Sequence, residues 1–288
     1  MPTYSRIIAG AMNWGVWGKK LNPNQQTALI NHCISLGITT FDHADIYGGY
    51  TTEADFGKAF AQSEIGRDTV QFISKCGIQY PADSRENRVK HYQYDKEYII
   101  WSTENSLKNL KTDYLDLLLL HRPSPLMQPD EIAEAIDELQ TSGKIIEFGV
   151  SNFNPFQTDL IDTKATVQVN QIEFSLTAFD AMFNGSLDHM ITHDIVPMAW
   201  SPLGSYFKED NEATLRIKPV MKSLAEKYET GEDQLLLAWL LHHPAGIHPV
   251  VGTTNEARLK KAVEALDIEL ELQDWFELLV ASQGHKVP

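Results

Sequence analysis

The chain has 288 residues, 43% of them hydrophobic, and a formal net charge of −15 at neutral pH. That acidic surplus speaks against nucleic acid or an anionic membrane as partner, and the doublets Lys19-Lys20 and Lys260-Lys261 are too short to form a phosphate-binding stripe. No apolar run approaches the ~18 residues of a membrane span, Met1–Arg6 does not lead into a signal-peptide apolar region, and Cys33 and Cys76 cannot build a disulfide framework. The expectation is a cytoplasmic protein, a monomer by default with a dimer left open.

Short apolar runs alternate with longer amphipathic segments. In chain order the expected strands are 5–9, 38–41, 70–74, 115–120, 145–150, 167–170, 196–200 and 248–251. Between them, 24–36 puts Leu29, Ile30, Cys33 and Leu36 on one helical face, with Asn22 as N-cap, Pro23 at the first helical position and Gly37 as the stop. Segment 130–141 repeats the design and stops at Gly143, while 95–110, 233–242, 256–266 and 273–282 read as further helices. Strands without polar alternation suit parallel strands buried on both faces. Alternation of this kind favours a closed (β/α)8 barrel spanning residues 1–288 as a single domain. The open doubly wound alternative would carry a G-x-G-x-x-G turn, which the chain lacks, so no Rossmann domain is expected.

Three of these strands run out into residues that carry chemistry: Asp42, Lys75 and His121, with Tyr47 just beyond the second strand. Active sites of such barrels sit at the strands' C-terminal ends. An ammonium near a phenol stabilises the phenolate and eases release of its proton, a carboxylate holds the ammonium in place, and an imidazole can orient a substrate oxygen. The set suits protonation of an alkoxide forming from a carbonyl. Each residue also has a plainer role: Asp42 and Lys75 as a structural ion pair, His121 as a buried imidazole, Tyr47 as a loop anchor. Two other readings stay open, a Schiff-base lyase using Lys75 and a non-enzymatic cofactor-sensing subunit. A metal centre at His43, Asp45 and His121 is disfavoured, because strand alternation turns Asp42 and His43 to opposite sides; no metal is expected. Cys76 reads as a core thiol.

With these residues in view, the chain resembles the aldo-keto reductases along nearly its whole length, and most of all a bacterial oxidoreductase subgroup. Asp42-His43-Ala44-Asp45-Ile46-Tyr47-Gly48 is similar to the family's Asp-x-Ala-x-x-Tyr-Gly signature, Ile73-Ser74-Lys75 to its lysine strand and Tyr114–His121 to its histidine strand. Gly149-Val150-Ser151-Asn152-Phe153 and Asn170-Gln171-Ile172-Glu173 match two further segments. The resemblance implies an NADPH-dependent oxidoreductase reducing aldehydes or ketones by direct hydride transfer. Tyr47 would be the proton donor, tuned by Lys75 and Asp42, with His121 orienting a small-molecule carbonyl. It further implies cofactor contacts from Ala11, Met12 and Asn13; from Ser151, Asn152 and Gln171 at the carboxamide; and from Trp200 against the nicotinamide ring. Ser201 and Leu203 would lie along the pyrophosphate, and Gly252, Thr253, Asn255 and Arg258 at the adenosine 2′-phosphate. Gly252 stands where members often place a lysine. The long C-terminal loop of many members is nearly absent, so specificity is expected to fall to the loops 79–94, 122–127 and 205–213.

Overall fold

The computed structural model describes residues 4–288. Met1–Thr3, which open the N-terminal segment and the 1–288 range read above, lie outside them. Eight parallel strands close into a barrel: β1 (Ile8–Gly10), β2 (Thr40–Asp42), β3 (Gln71–Cys76), β4 (Leu115–Leu120), β5 (Ile145–Ser151), β6 (Val169–Glu173), β7 (Val196–Trp200) and β8 (His248–Val251), each hydrogen-bonded to its neighbours in sequence and β8 returning to β1. The expected (β/α)8 TIM barrel is the observed one.

Alternation along the strands sorts the apolar residues into two populations. Ile8, Ile73, Leu117, Leu119, Val169, Met198 and Val250 fill the lumen, while Phe41, Phe72, Leu118 and Leu120 turn outward and join the larger shell packed under the helices. The row Ile73–Lys75 therefore brings the Lys75 side chain to the inner rim of the barrel. Burial on both faces explains why these strands carry so little polar alternation.

The helix Pro23–Ser35 starts as expected: Asn22 accepts from Gln25 N–H, and Gln25 returns a bond to the Asn22 backbone. Lys96–Leu110, capped by Asp95, and Pro129–Thr141 also lie within a residue of expectation. Among helices longer than one turn, four were not expected: Thr52–Phe60, Pro155–Asp162, Ser186–Thr192 and Glu212–Lys227. The loop 79–94 is partly ordered as an antiparallel hairpin in which Ile78 pairs with Tyr92 and Gln79 with His91. Among the described residues, no helix is long and apolar enough to cross a membrane.

Candidate active site

A cavity of about 620 Å³ opens at the C-terminal ends of the strands. Asp42, Tyr47 and His121 line it, and Lys75 lies just beneath, 1% exposed. Lys75 Nζ donates to Asp42 Oδ1 at 2.7 Å, to the His43 carbonyl at 2.8 Å and to Tyr47 Oη at 3.2 Å. An ammonium has three N–H groups, so this one is fully engaged. The pair Lys75–Asp42 is buried, and Gln171 Nε2 donates to the same Asp42 oxygen at 2.9 Å.

Tyr47 owes its position to the turn that follows it. Gly48 and Gly49 take φ of 63° and 69°, and Tyr50 continues at 70°. A Cβ on Gly48 would also collide with Oγ1 of Thr52. Only glycine meets both demands cheaply, and the turn swings the Tyr47 ring back over Lys75, whose Nζ is 5.1 Å from the ring centroid. The ring meets His121 edge-on at 6.1 Å and Trp17 at 6.3 Å.

The electrostatics correct one expectation. Burial pushes the Tyr47 phenol up, and the opposing pull of Lys75 does not reverse it. The net shift is upward, not downward as the ammonium alone would give. For Lys75, burial alone would lower the pKa, but Asp42 and Tyr47 beside it hold the ammonium above its usual range. Burial, then Lys75, Arg122 and Lys90, push the His121 imidazole well down, so it is neutral at pH 7. Its Nδ1 is buried without a partner.

A second chain of bonds runs along the opposite wall. Trp200 Nε1 donates to Asn152 Oδ1 at 2.9 Å, Asn152 Nδ2 to Ser151 Oγ at 2.7 Å, and Ser151 Oγ to the Gln171 carbonyl at 2.8 Å. Asn152 and Ser201, both lining the cavity, sit at φ of 62° and 54°, a left-handed conformation unusual for non-glycine residues. Met12, Asn13, Ser201, Leu203, Gly252, Thr253 and Arg258 also line the cavity, and Asn13 Nδ2 reaches the Gly252 carbonyl at 3.2 Å.

Two expected contacts stand elsewhere. Ala11 is fully buried, its N–H donating to the Asp42 carbonyl at 2.9 Å, so its side chain supports the rim from behind. Asn255 does not line the cavity; it caps the helix Glu256–Glu264 by accepting from Arg258 N–H at 3.0 Å, which fixes the turn where Arg258 leaves. Trp17, Ile46, Ile78, Lys90, Arg122, Lys208, Asp233 and Leu237 line the cavity as well. Only their loops, if that, could be named from sequence, because their approach depends on how those loops fold back. His43 and Asp45 face away from the cavity, against Phe56 and the helix Lys96–Leu110. Among the described residues, the one cluster of three metal-ligand types is Asp159, His189 and His193, and none of the three lines the cavity.

The profile of the aldo/keto reductase family matches residues 6–279. The chain belongs to the aldo/keto reductase family. It is 40% identical over 291 residues to the uncharacterized oxidoreductase YcsN of Bacillus subtilis, covering 99% of this chain and 96% of the relative. It is also 40% identical to a 6-dehydroglucose reductase of Agrobacterium fabrum, covering 98% and 96%. Among solved structures, the thermostable aldo-keto reductase Tm1743, in complex with the inhibitor epalrestat, superposes with a TM-score of 0.81 at 25% identity, covering 98% of this chain and 95% of that one. The protein is thus an oxidoreductase of this family, a reductase dependent on a nicotinamide cofactor.

Proposed function

We propose that the protein reduces aldehydes or ketones to alcohols with NADPH, Tyr47 donating the proton. The observation that carries this reading is the contact of a fully engaged, ion-paired Lys75 with the Tyr47 hydroxyl at the floor of the cavity. The cavity's polar wall suits a nicotinamide: Ser151, Asn152 and Gln171 hold amide and hydroxyl groups around a Trp200 ring whose indole nitrogen is already tied down. The far rim suits a phosphate, since the helix Glu256–Glu264 begins there with free N–H groups and Arg258 stands in its first turn.

A nicotinamide held by Ser151, Asn152, Gln171 and Trp200 would supply the hydride for the carbonyl carbon. The Tyr47 hydroxyl gives its proton to the carbonyl oxygen, so an alcohol forms without a free alkoxide. Because burial keeps the phenol protonated, the acid form is in place at neutral pH. The phenolate left behind faces Lys75 Nζ at 3.2 Å, where a fixed cation is most effective away from bulk water. Neutral His121 can donate its ring N–H to the carbonyl oxygen without adding charge. The Schiff-base alternative needs an unprotonated Lys75, and the surroundings of Lys75 favour the ammonium.

A panel of aldehydes and ketones followed by loss of NADPH absorbance tests the reaction; silence across a wide panel with cofactor bound would sink it. Arg258→Ala tests the cofactor. NADPH binding should weaken roughly ten- to a hundredfold, the worth of a hydrogen bond to a charged group, and NADH binding much less. Equal losses for both would leave the NADPH preference without a basis at this rim.

A further inference from the structure

We infer that, granted the carbonyl reduction proposed above, the substrate carries an anionic group, a carboxylate or a phosphate, held by Arg122 and Lys90. Arg122 directly follows His121 at the end of β4, and its backbone is clamped: Tyr94 Oη accepts from Arg122 N–H at 3.1 Å and donates to the Arg122 carbonyl at 2.5 Å. Its guanidinium lies 5.3 Å from the centroid of the Trp200 ring. Lys90 arrives from the hairpin that extends β3, the strand next to β4. Both side chains line the cavity.

Neither cation is paired. In a protein with a net charge of −15, none of the ion pairs among the described residues involves Arg122 or Lys90. Among the described residues, the carboxylate lining this end of the cavity is Asp42, which is committed to Lys75 and Gln171. Arg122 adjoins His121 in the chain and Lys90 lines the same cavity, so both stand at the reacting end, where they help to lower the His121 pKa. The adenosine 2′-phosphate site proposed at Arg258 does not account for them. Arg258 follows β8, and in an eight-stranded barrel β4 and β8 stand on opposite sides. Trp17, Ile46 and Ile78 form an apolar wall beside the same space, giving room for a short carbon chain between the carbonyl and its charged end. A planar guanidinium with no partner in place is suited to a carboxylate or phosphate in bidentate fashion.

Matched pairs of substrates test this: 4-oxobutanoate against its methyl ester, and glyceraldehyde 3-phosphate against glyceraldehyde. The wild type should favour the anionic member of at least one pair by roughly ten- to a hundredfold in kcat/KM, and which pair responds distinguishes carboxylate from phosphate. Arg122→Gln should collapse that ratio and Lys90→Gln should reduce it. A purely structural effect on Trp200 would lower both members alike and leave the ratio standing, which would overturn the role of Arg122. Wild-type ratios near one in both pairs, with the neutral aldehydes reduced, would overturn the anionic subsite while the reductase reading stands. Failure to reduce any member of either pair would overturn this inference, and the wide carbonyl panel above decides separately whether the reductase reading stands.

Discussion

Asp42 and Asp45 leave the same strand three residues apart, both nearly buried, at 3% and 7% exposed, and the barrel wall separates them. Asp42 turns inward onto Lys75 at 2.7 Å. Asp45 turns outward under the helix Lys96–Leu110, where its Oδ2 accepts from Ser102 at 3.0 Å and Tyr98 at 3.3 Å while Oδ1 has no partner. Among the described residues no cation pairs with it, and burial with Glu53 nearby pushes its carboxyl up to about 7. His43 shares that outer side; its ring packs 4.3 Å from Phe56 with both nitrogens unpartnered, and burial takes it down to about 3. One short segment thus carries a face toward the cavity and a face toward the helices with the same residue types. Partners, not residue identity, decide which is which.

The most decisive way to break this contrast is at the inner face. Tyr47→Phe keeps the ring and removes the acid, so carbonyl reduction should fall by roughly 10²–10⁴-fold while cofactor affinity, read by fluorescence titration, barely moves. Near-normal turnover would show that another group supplies the proton. Lys75→Met should cost both activity and fold, because it strands the Asp42 carboxylate in the barrel rim. Breaking a buried pair from one side costs about 3–5 kcal/mol, measurable as a lowered urea midpoint. Adding Asp42→Asn to that variant should restore much of the stability and none of the turnover; recovery of neither would mean that Lys75 stabilises through packing alone.

How much of this was legible in the chain follows the same division. The inward residues could be read because each closes an apolar strand, and a barrel gives strand ends their meaning; β4, β7 and β8 fall where the apolar runs do. The missed helices had their signals masked. Glu212–Lys227 carries Pro219 in its interior, which reads as a break. Thr52–Phe60 contains Gly57, packed so closely on the Asn109 carbonyl that no side chain fits, and a glycine there weakens the helical pattern. The upward shift of Tyr47 was missed because sequence shows the neighbouring ammonium but not the depth of burial that outweighs it. Arg122 and Lys90 were hidden for a different reason: their shared place on the cavity depends on a hairpin closed by only two residue pairs and on the hydroxyl of Tyr94 reaching across to a distant backbone.

The outer face yields the smaller and subtler prediction. An acid whose pKa rises on folding, as that of Asp45 does from 3.8 to about 7, holds its proton in the native state while the unfolded chain has lost it. Its contribution to stability is therefore present at low pH and drains away as pH climbs through that window. His43 works in the opposite sense: lowered on folding from 6.5 to about 3, it contributes fully above 6.5 and loses that contribution as pH falls toward 3. Across the overlap the two slopes oppose one another and flatten the wild-type profile. Asp45→Asn removes one of them. The variant should gain on the wild type by roughly 3 kcal/mol between pH 4 and pH 7, expose the acid-side slope of His43 in urea titrations, and leave turnover unchanged, since Asp45 touches no part of the cavity. A stability difference that stays constant with pH would mean that Asp45 is ionised in the fold, and a loss of turnover would mean that the barrel wall does not insulate the two faces.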